Sequence, residues 1–180
     1  MPILNSAVLE ANPNRIHCCA SDASGPDGVG YFTGVWSEDN PVYFSRQWYL
    51  EEPFLSSTNG ELKGLADCIN RTTLRNGVLI WLTDSMSAAY VVNKGTCRTW
   101  EDTRLVTHIF ERADELGIQI FAIWIPREAN TLADYLSHLA TLSHRKEVSG
   151  FVQDLNEEEA GIPYSTSERA YNSDAAYTRA

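Results

Sequence analysis

The sequence predicts an α/β fold, a five-stranded mixed sheet with helices packed on it. Strand-like runs rich in aromatic and β-branched residues lie between turn-forming residues in the first quarter of the chain. Further along, apolar runs alternate with segments whose apolar residues recur at helical spacing. Three strands, a helix, a strand, further helices, a strand and a last helix describe a mixed sheet covered by helices.

The first three predicted strands form an antiparallel meander. Residues 16–22 are mostly apolar and end at Asp22, before the turn-forming residues 24–28. Residues 29–36 and 41–48 are aromatic-rich and are separated only by a short polar segment. Such short connections favour antiparallel neighbours.

The first helix is predicted from about residue 58 to residue 73. The apolar spacing changes here from that of a strand to that of a helix, as in Leu62, Leu65 and Ile69. Ser56 and the polar residues after it are suitable caps, which places Glu61 in the first turn.

A strand buried on both faces is predicted at residues 78–83, because this run is apolar almost throughout. It stops at Asp84. Residues 85–94 suit a short helix, and an apolar stripe between Thr99 and Gly117 predicts a longer one.

The last strand and helix are predicted at the end of the domain. Residues 118–124 form an apolar strand, which Pro126 ends, and Leu132, Leu136 and Leu139 mark a helix that carries Asp134. The predicted domain spans residues 14–145. Residues 1–13 are expected to be an N-terminal extension, and residues 146–180 an acidic, flexible tail.

Composition limits the possible functions. A chain of 180 residues with 43% hydrophobic residues fits one globular domain. The absence of a signal-peptide pattern and of a long apolar run predicts an intracellular protein, cytoplasmic or nuclear, with no membrane partner. The net charge of -10 counts against tight unaided binding of a polyanion.

Several residue types have ordinary explanations. The cysteines show no metal-site or disulfide spacing and are expected to be buried thiols. The histidines share no ligand spacing and are expected in packing or at the surface. Four tryptophans are expected to be core or sheet-face aromatics, although one could stack on a sugar or base: Trp36, Trp48, Trp81 and Trp124.

The acidic residues at strand ends are the candidate functional residues. If the strand that ends at Asp84 runs parallel to the first strand, Asp22 and Asp84 lie side by side at one sheet edge. Two adjacent carboxylates repel each other unless cations neutralise them, and oxygen ligands suit Mg²⁺ or Mn²⁺. Glu61 and Asp134 could complete the site if their helices pack against these strands. Singly, each acidic residue could instead be a turn cap or a residue in a helix's first turn.

Four ordered blocks resemble those of the ribonuclease H family: residues 21–25 (Ser-Asp-Ala-Ser-Gly), 60–63 (Gly-Glu-Leu-Lys), 83–85 (Thr-Asp-Ser) and 130–137 (Asn-Thr-Leu-Ala-Asp-Tyr-Leu-Ser). The resemblance covers about residues 14 to 142. It is greatest to the ribonuclease H domains of retrotransposon reverse transcriptases. Residues 93–95 (Asn-Lys-Gly) and 125–126 (Ile-Pro) resemble those of elements that integrate with a tyrosine recombinase.

The resemblance implies a ribonuclease H-like fold and metal-dependent hydrolysis of the RNA strand of an RNA/DNA hybrid. It also implies that two Mg²⁺ or Mn²⁺ ions are held by Asp22, Glu61, Asp84 and Asp134, with Asp22 as the bridging ligand. A reverse transcriptase polymerase domain is a possible partner. Five weaker candidates for substrate contacts are Ser24, Asn93, Lys94, Arg98 and Arg127.

Two positions depart from the family pattern. Many members have a histidine ten residues before the last carboxylate, where this chain has Trp124, and Arg127 replaces a glycine of the retroelement proteins. Trp124, the acidity and the lack of a polymerase motivate an alternative, a catalytically weak or inactive nucleic-acid or protein binding module. A third possibility is a DNA nuclease of the same superfamily, which the block around Glu61 disfavours.

Overall fold

The computed structural model describes residues 13–25, 27–35, 41–49 and 51–142, with side chains described from residue 14 to residue 139 within these ranges. Most of the predicted N-terminal extension and the whole of the predicted tail, residues 146–180, lie outside these ranges. So do Trp36, at the end of the predicted second strand, and His144.

The described residues form one five-stranded mixed sheet, as the sequence predicts. The strands are β1 (Ile16–Ser24), β2 (Gly28–Val35), β3 (Val42–Gln47), β4 (Gly77–Thr83) and β5 (Ile118–Trp124). Their order in the sheet is β3-β2-β1-β4-β5. The meander β1–β2–β3 is antiparallel, and β4 is parallel to both β1 and β5.

Four α-helices lie within the described residues: α1 (Ser57–Arg71), α2 (Met86–Lys94), α3 (Trp100–Leu116) and α4 (Thr131–Leu142). Single 3₁₀ turns precede β1 and α4, at Pro13–Arg15 and Arg127–Ala129. The predicted caps are confirmed at three helix ends, because Ser56 caps α1, Thr99 caps α3, and Gly117 ends α3 in the left-handed conformation. Helix α1 ends two residues earlier than predicted.

The helices cover both faces of the sheet. Helices α1, α2 and α3 pack together over the main core, and α4 packs against β1, β2 and β3 on the other face. The alternation of side chains in β2 shows this division directly. Tyr31 belongs to the main core, whereas the next residue, Phe32, packs against the smaller cluster under α4.

Two local contacts fix the positions of the strands and the helix that carry acidic residues. Trp81 in β4 is fully buried, and its indole N–H donates to Ser21 Oγ of β1 at 2.7 Å. At Gly30 in β2, a Cβ atom would lie 2.3 Å from the backbone carbonyl carbon of Leu136. Only glycine therefore permits α4 to approach the sheet this closely.

The predicted juxtaposition of two strand ends is confirmed. In the parallel pair β1–β4, Ala20 lies opposite Leu82. Asp22 and Asp84 each lie two residues further along their chains, so they meet at the same sheet edge.

The cysteines, all within the described ranges, form no disulfide bond. All four are free, with Cys19 and Cys68 buried and Cys18 and Cys97 partly buried. Within the ranges that the structure describes, no helix has both the length and the apolar character needed to cross a membrane.

Candidate metal centre

Three carboxylates meet at this sheet edge. One oxygen from each of Asp22, Glu61 and Asp84 lies within 4.8 Å of the other two. Asp22 is in β1 and Asp84 directly follows β4. Glu61 is in the second turn of α1 and not in the first as predicted, because Ser56 is the cap and the helix begins at Ser57. The three acidic residues are called the carboxylate cluster below.

Helix α1 brings Glu61 to the strand ends. Small residues allow the close approach, since a Cβ atom at Gly60 would lie 3.1 Å from the Cβ of Ala23. The Glu61 carboxylate then accepts hydrogen bonds from both neighbouring segments, from Ala23 N at 3.1 Å and from Thr83 Oγ1 at 3.3 Å. Glu61 therefore joins the end of β1 to the end of β4.

Asp134 lies near the carboxylate cluster but outside its compact core. It stands in the first turn of α4 with 43% of its side chain exposed, and it lines the same pocket. The Ser137 hydroxyl lies 2.6 Å from the Asp134 carbonyl oxygen and 3.3 Å from Asp22 Oδ2. At the start of α4, Asn130 Nδ2 donates to Ser21 O at 3.0 Å. These contacts fix α4 against β1, so the structure brings all four predicted carboxylates to one pocket.

Burial and mutual repulsion change the acidity of the cluster. The pKa of Asp22 is raised to about 6, mainly by burial and to a smaller extent by the negative charges of Asp84 and Asp134. The pKa of Glu61 is raised to about 9, again mainly by burial and to a smaller extent by the charges of Asp22 and Asp84. Among the residues that the structure describes, no Lys or Arg nitrogen lies within salt-bridge distance of the cluster.

The donor set fits a divalent cation. Glu61 is 4% exposed and Asp22 is 9% exposed, and carboxylates so placed need compensating positive charge when they ionise. Carboxylate oxygens are hard ligands, which suit Mg²⁺ and Mn²⁺ rather than thiolate-seeking metals. The three members of the cluster, with Asp134 beside them, are the residues that would hold such ions.

The pocket around the cluster has a volume of about 450 Å³ and a mostly polar wall. Two of the predicted substrate contacts, Ser24 and Arg127, line it, as do Ser57 and Ser85. Each of these side chains carries a hydrogen-bond donor, which suits phosphate oxygens and ribose hydroxyls.

The other three predicted substrate contacts do not line this pocket. Lys94 ends α2, and Arg98 follows it in the loop before α3; both are exposed. The Asn93 amide hydrogen-bonds to both backbone groups of Ala122, at 2.8 and 3.1 Å. These two bonds hold α2 to the edge strand β5 and leave the Asn93 amide little capacity for a phosphate.

Two residues near the site have roles that the sequence did not suggest. His138 lines the pocket, with Nδ1 bonded to Asp27 Oδ2 and Nε2 3.7 Å from Asp134 Oδ1. Its position one helical turn after Asp134 was the available signal. Trp124 is 46% exposed and is not a core residue, and its indole N–H donates to the Asp84 carbonyl oxygen at 3.1 Å.

Comparisons with known proteins support the fold. The sequence matches no protein-family model and no curated protein. The structure is similar to the N-terminal RNase H domain of a Mycobacterium tuberculosis protein, solved as a fusion with maltose-binding protein, at 17% identity and a TM-score of 0.51. That match covers 69% of this chain and 96% of the other.

It is also similar to RNase H1 from the halophilic archaeon Halobacterium salinarum, at 14% identity and a TM-score of 0.54. Here 70% of this chain and 97% of the archaeal chain are covered. At this level of sequence identity the similarity establishes the fold: the chain has a ribonuclease H-like fold.

Proposed function

We propose that this chain is a metal-dependent endonuclease that hydrolyses the RNA strand of RNA/DNA hybrids. The observation that carries the proposal is the carboxylate cluster, in which three mostly buried acidic groups meet at one sheet edge with no Lys or Arg of the described residues within salt-bridge distance. The two similar structures are both named as RNase H proteins, and their fold is the fold of this chain.

In this proposal Asp22, Glu61, Asp84 and Asp134 hold two Mg²⁺ or Mn²⁺ ions. Asp22 would be the ligand shared by both ions, as the family resemblance implies, and it lies beside Glu61 and Asp84 in the cluster and shares a pocket with Asp134. Bound divalent ions would supply charge neutralisation and Lewis-acid activation at a phosphodiester. The protein itself contributes fixed ligand positions, set by two strand ends and two packed helices.

Substrate selection would use the donors of the pocket wall. Hydroxyl groups of Ser24, Ser57 and Ser85 suit the ribose hydroxyls that distinguish RNA from DNA, and the Arg127 guanidinium suits a backbone phosphate. The net charge of -10 makes a separate cationic surface useful for binding a long hybrid. A reverse transcriptase polymerase domain is the partner that we propose for that purpose, with residues 14–145 as the nuclease domain of a retroelement or of a copy adopted by its host.

The test is cleavage of an end-labelled RNA/DNA hybrid in Mg²⁺ and in Mn²⁺, with duplex DNA and duplex RNA as substrate controls. We expect the RNA strand of the hybrid to be cut, and Asp84→Asn to lower the rate by more than about a hundredfold, since it removes a ligand rather than an outer-shell partner. Asp114→Asn, on the exposed face of α3, is the matched control and should cleave like the wild type. Equal rates for wild type and Asp84→Asn would show that the activity comes from another site or a contaminant.

The alternative is a noncatalytic binding module on the same fold. Trp124, which stands where many family members have a histidine, and the acidic charge favour it. The cleavage assay and a calorimetric titration with Mn²⁺ separate the two functions. A protein that binds hybrid without cutting it, and that takes up no Mn²⁺, would be such a module.

A further inference from the structure

The end of β5 contacts the backbone of a residue in the carboxylate cluster. Trp124 is the last residue of β5 and lies opposite Thr83, the last residue of β4. Its side chain reaches past Thr83, and the indole N–H donates to the carbonyl oxygen of Asp84 at 3.1 Å. The contact therefore falls on the residue whose carboxylate belongs to the cluster.

Packing does not account for the position of this indole. With 46% of its surface exposed, Trp124 lies outside the buried core clusters. It is also absent from the wall of the carboxylate pocket. The hydrogen bond to Asp84 is thus the specific polar contact that holds the ring at the strand end.

The backbone on both sides of Asp84 is already fixed. Thr83 O accepts from Ile125 N at 2.9 Å, and Ser85 N donates to Thr83 Oγ1 at 3.1 Å. The indole adds a second contact to the peptide group that follows Asp84, at its carbonyl oxygen, while Thr83 holds its N–H. The peptide groups before and after Asp84 together set the direction in which its side chain leaves the backbone, so a contact that holds the second of them helps to fix that direction.

We propose that Trp124 is a positioning residue for Asp84, which acts through its indole N–H to hold the Asp84 carboxylate in place for a divalent ion. The inference rests on the proposed function, because it concerns how a ligand of the metal centre is oriented. Groups that orient metal ligands in this way typically change metal affinity or activity by 10- to 100-fold when they are removed. A loss near the lower end is expected for a partly exposed hydrogen bond.

The test compares Mn²⁺ binding by calorimetry in the full chain and in three variants. Trp124→Phe keeps an aromatic ring and removes the N–H donor, and Trp124→His keeps a ring with a donor. Trp100→Phe is the matched control, because Trp100 is 71% exposed at the start of α3 and does not line the pocket. Thermal unfolding without metal checks that each variant is folded.

We expect Trp124→Phe to bind Mn²⁺ about tenfold more weakly, Trp124→His to recover part of that loss, and Trp100→Phe to bind like the wild type. In the hybrid-cleavage assay, the Mn²⁺ concentration for half-maximal rate should rise by the same factor in Trp124→Phe, while kcat at saturating Mn²⁺ stays near the wild-type value. A purely structural role would not produce this pattern.

Two results would overturn the inference in different ways. If the wild type binds Mn²⁺ and Trp124→Phe binds it equally well, the positioning role is wrong and the proposed function stands. In that case, a rise in KM for the hybrid in Trp124→Ala alone would assign the ring to substrate contact. If the wild type binds no Mn²⁺, the proposed function and the inference both fail.

Discussion

Helix α1 supplies acidic residues to two buried charge clusters that differ in how their charge is balanced. Glu61 belongs to the carboxylate cluster. Six residues later, Asp67 forms an ion pair with Arg46 of β3, which also pairs with Glu52 at 2.8 Å. We call Arg46, Glu52 and Asp67 the arginine cluster. Its guanidinium is buried and lies over the ring of Tyr49 at 4.3 Å.

The two clusters shift the pKa values of their glutamate side chains in opposite directions. Burial alone would raise the pKa of Glu52, but its hydrogen bonds with Arg46 and the charge of Arg46 lower it below its usual value. In the carboxylate cluster burial and repulsion act together, so the pKa of Glu61 rises to about 9. The charge of the arginine cluster is balanced by its own guanidinium, whereas no Lys or Arg of the described residues lies within salt-bridge distance of the carboxylate cluster. This difference separates a structural charge cluster from a candidate binding site.

The largest expected effect is on the arginine cluster. Arg46→Met would remove the buried counter-charge of Asp67 and Glu52, leaving Lys63 at 3.8 Å as the cation beside Glu52, and breaking a buried pair in this way typically costs about 3–5 kcal/mol. The free energy of unfolding, measured by urea denaturation, should fall by that amount. Arg112→Met is the matched control, because Arg112 pairs with Glu115 on the exposed face of α3, where such pairs contribute about 0–1 kcal/mol. Equal effects of the two substitutions would contradict the distinction between the clusters.

A second prediction concerns the pH dependence of stability without metal. The pKa of Glu61 is raised from 4.5 to about 9 on folding, and that of Asp22 from 3.8 to about 6. The folded protein therefore binds more protons than the unfolded chain, so the free energy of unfolding decreases as pH rises through this window. Because one pKa unit corresponds to about 1.4 kcal/mol, Glu61 alone lowers stability by roughly 3 kcal/mol between pH 5 and pH 7.

Urea denaturation in EDTA across this pH range measures the effect. Two changes should flatten the profile: saturating Mg²⁺, which neutralises the cluster, and Glu61→Gln, which removes the ionisable group. The glutamine can still accept from Ala23 N and can donate to Thr83 Oγ1, so the local hydrogen bonds survive. Glu115→Gln, on the exposed face of α3, is the control and should leave the slope unchanged. An unchanged slope in Glu61→Gln would mean that Glu61 is not the group responsible.

The sequence predicted the part of the site that depends on strand direction. Asp22 and Asp84 each end an apolar run, and parallel strands bring such ends together, so their proximity followed from pattern alone. Glu61 and Asp134 lie on helices, whose rotation and approach depend on packing. The pattern therefore predicted their place beside the strand ends only on the condition that these helices pack there, and the family resemblance supplied that condition.

The arginine cluster was not predicted, for a related reason. Arg46 and Asp67 are 21 residues apart, on a strand and on a helix, and no local pattern marks them as partners. Asn93 illustrates the same limit among the candidates for substrate contacts. Asn93 was a candidate for a phosphate contact because of its type and its block, but the structure places its amide against the backbone of β5. Side chains that bond to a neighbouring element's backbone leave little signal in a single sequence.

The smallest expected effect concerns the hydroxyl of Ser137. Its substitution distinguishes a role in metal binding from a role in the stability of the fold. The Ser137 hydroxyl is fully buried beside Asp22, and Ser137→Ala removes its hydrogen bond to that carboxylate. The hydroxyl has one proton, shared between this long contact of 3.3 Å and the Asp134 carbonyl oxygen at 2.6 Å, so we expect a contribution of about 0.5–1.5 kcal/mol rather than that of a full charged hydrogen bond. Mn²⁺ affinity by calorimetry should then fall roughly two- to tenfold, with a change in unfolding free energy of about 1 kcal/mol or less. Ser45→Ala is the matched control, since Ser45 is a buried serine of β3 whose hydroxyl has no hydrogen-bond partner, and it should leave Mn²⁺ affinity unchanged. If both variants bind Mn²⁺ like the wild type, the Ser137 hydroxyl contributes to packing rather than to metal binding at Asp22.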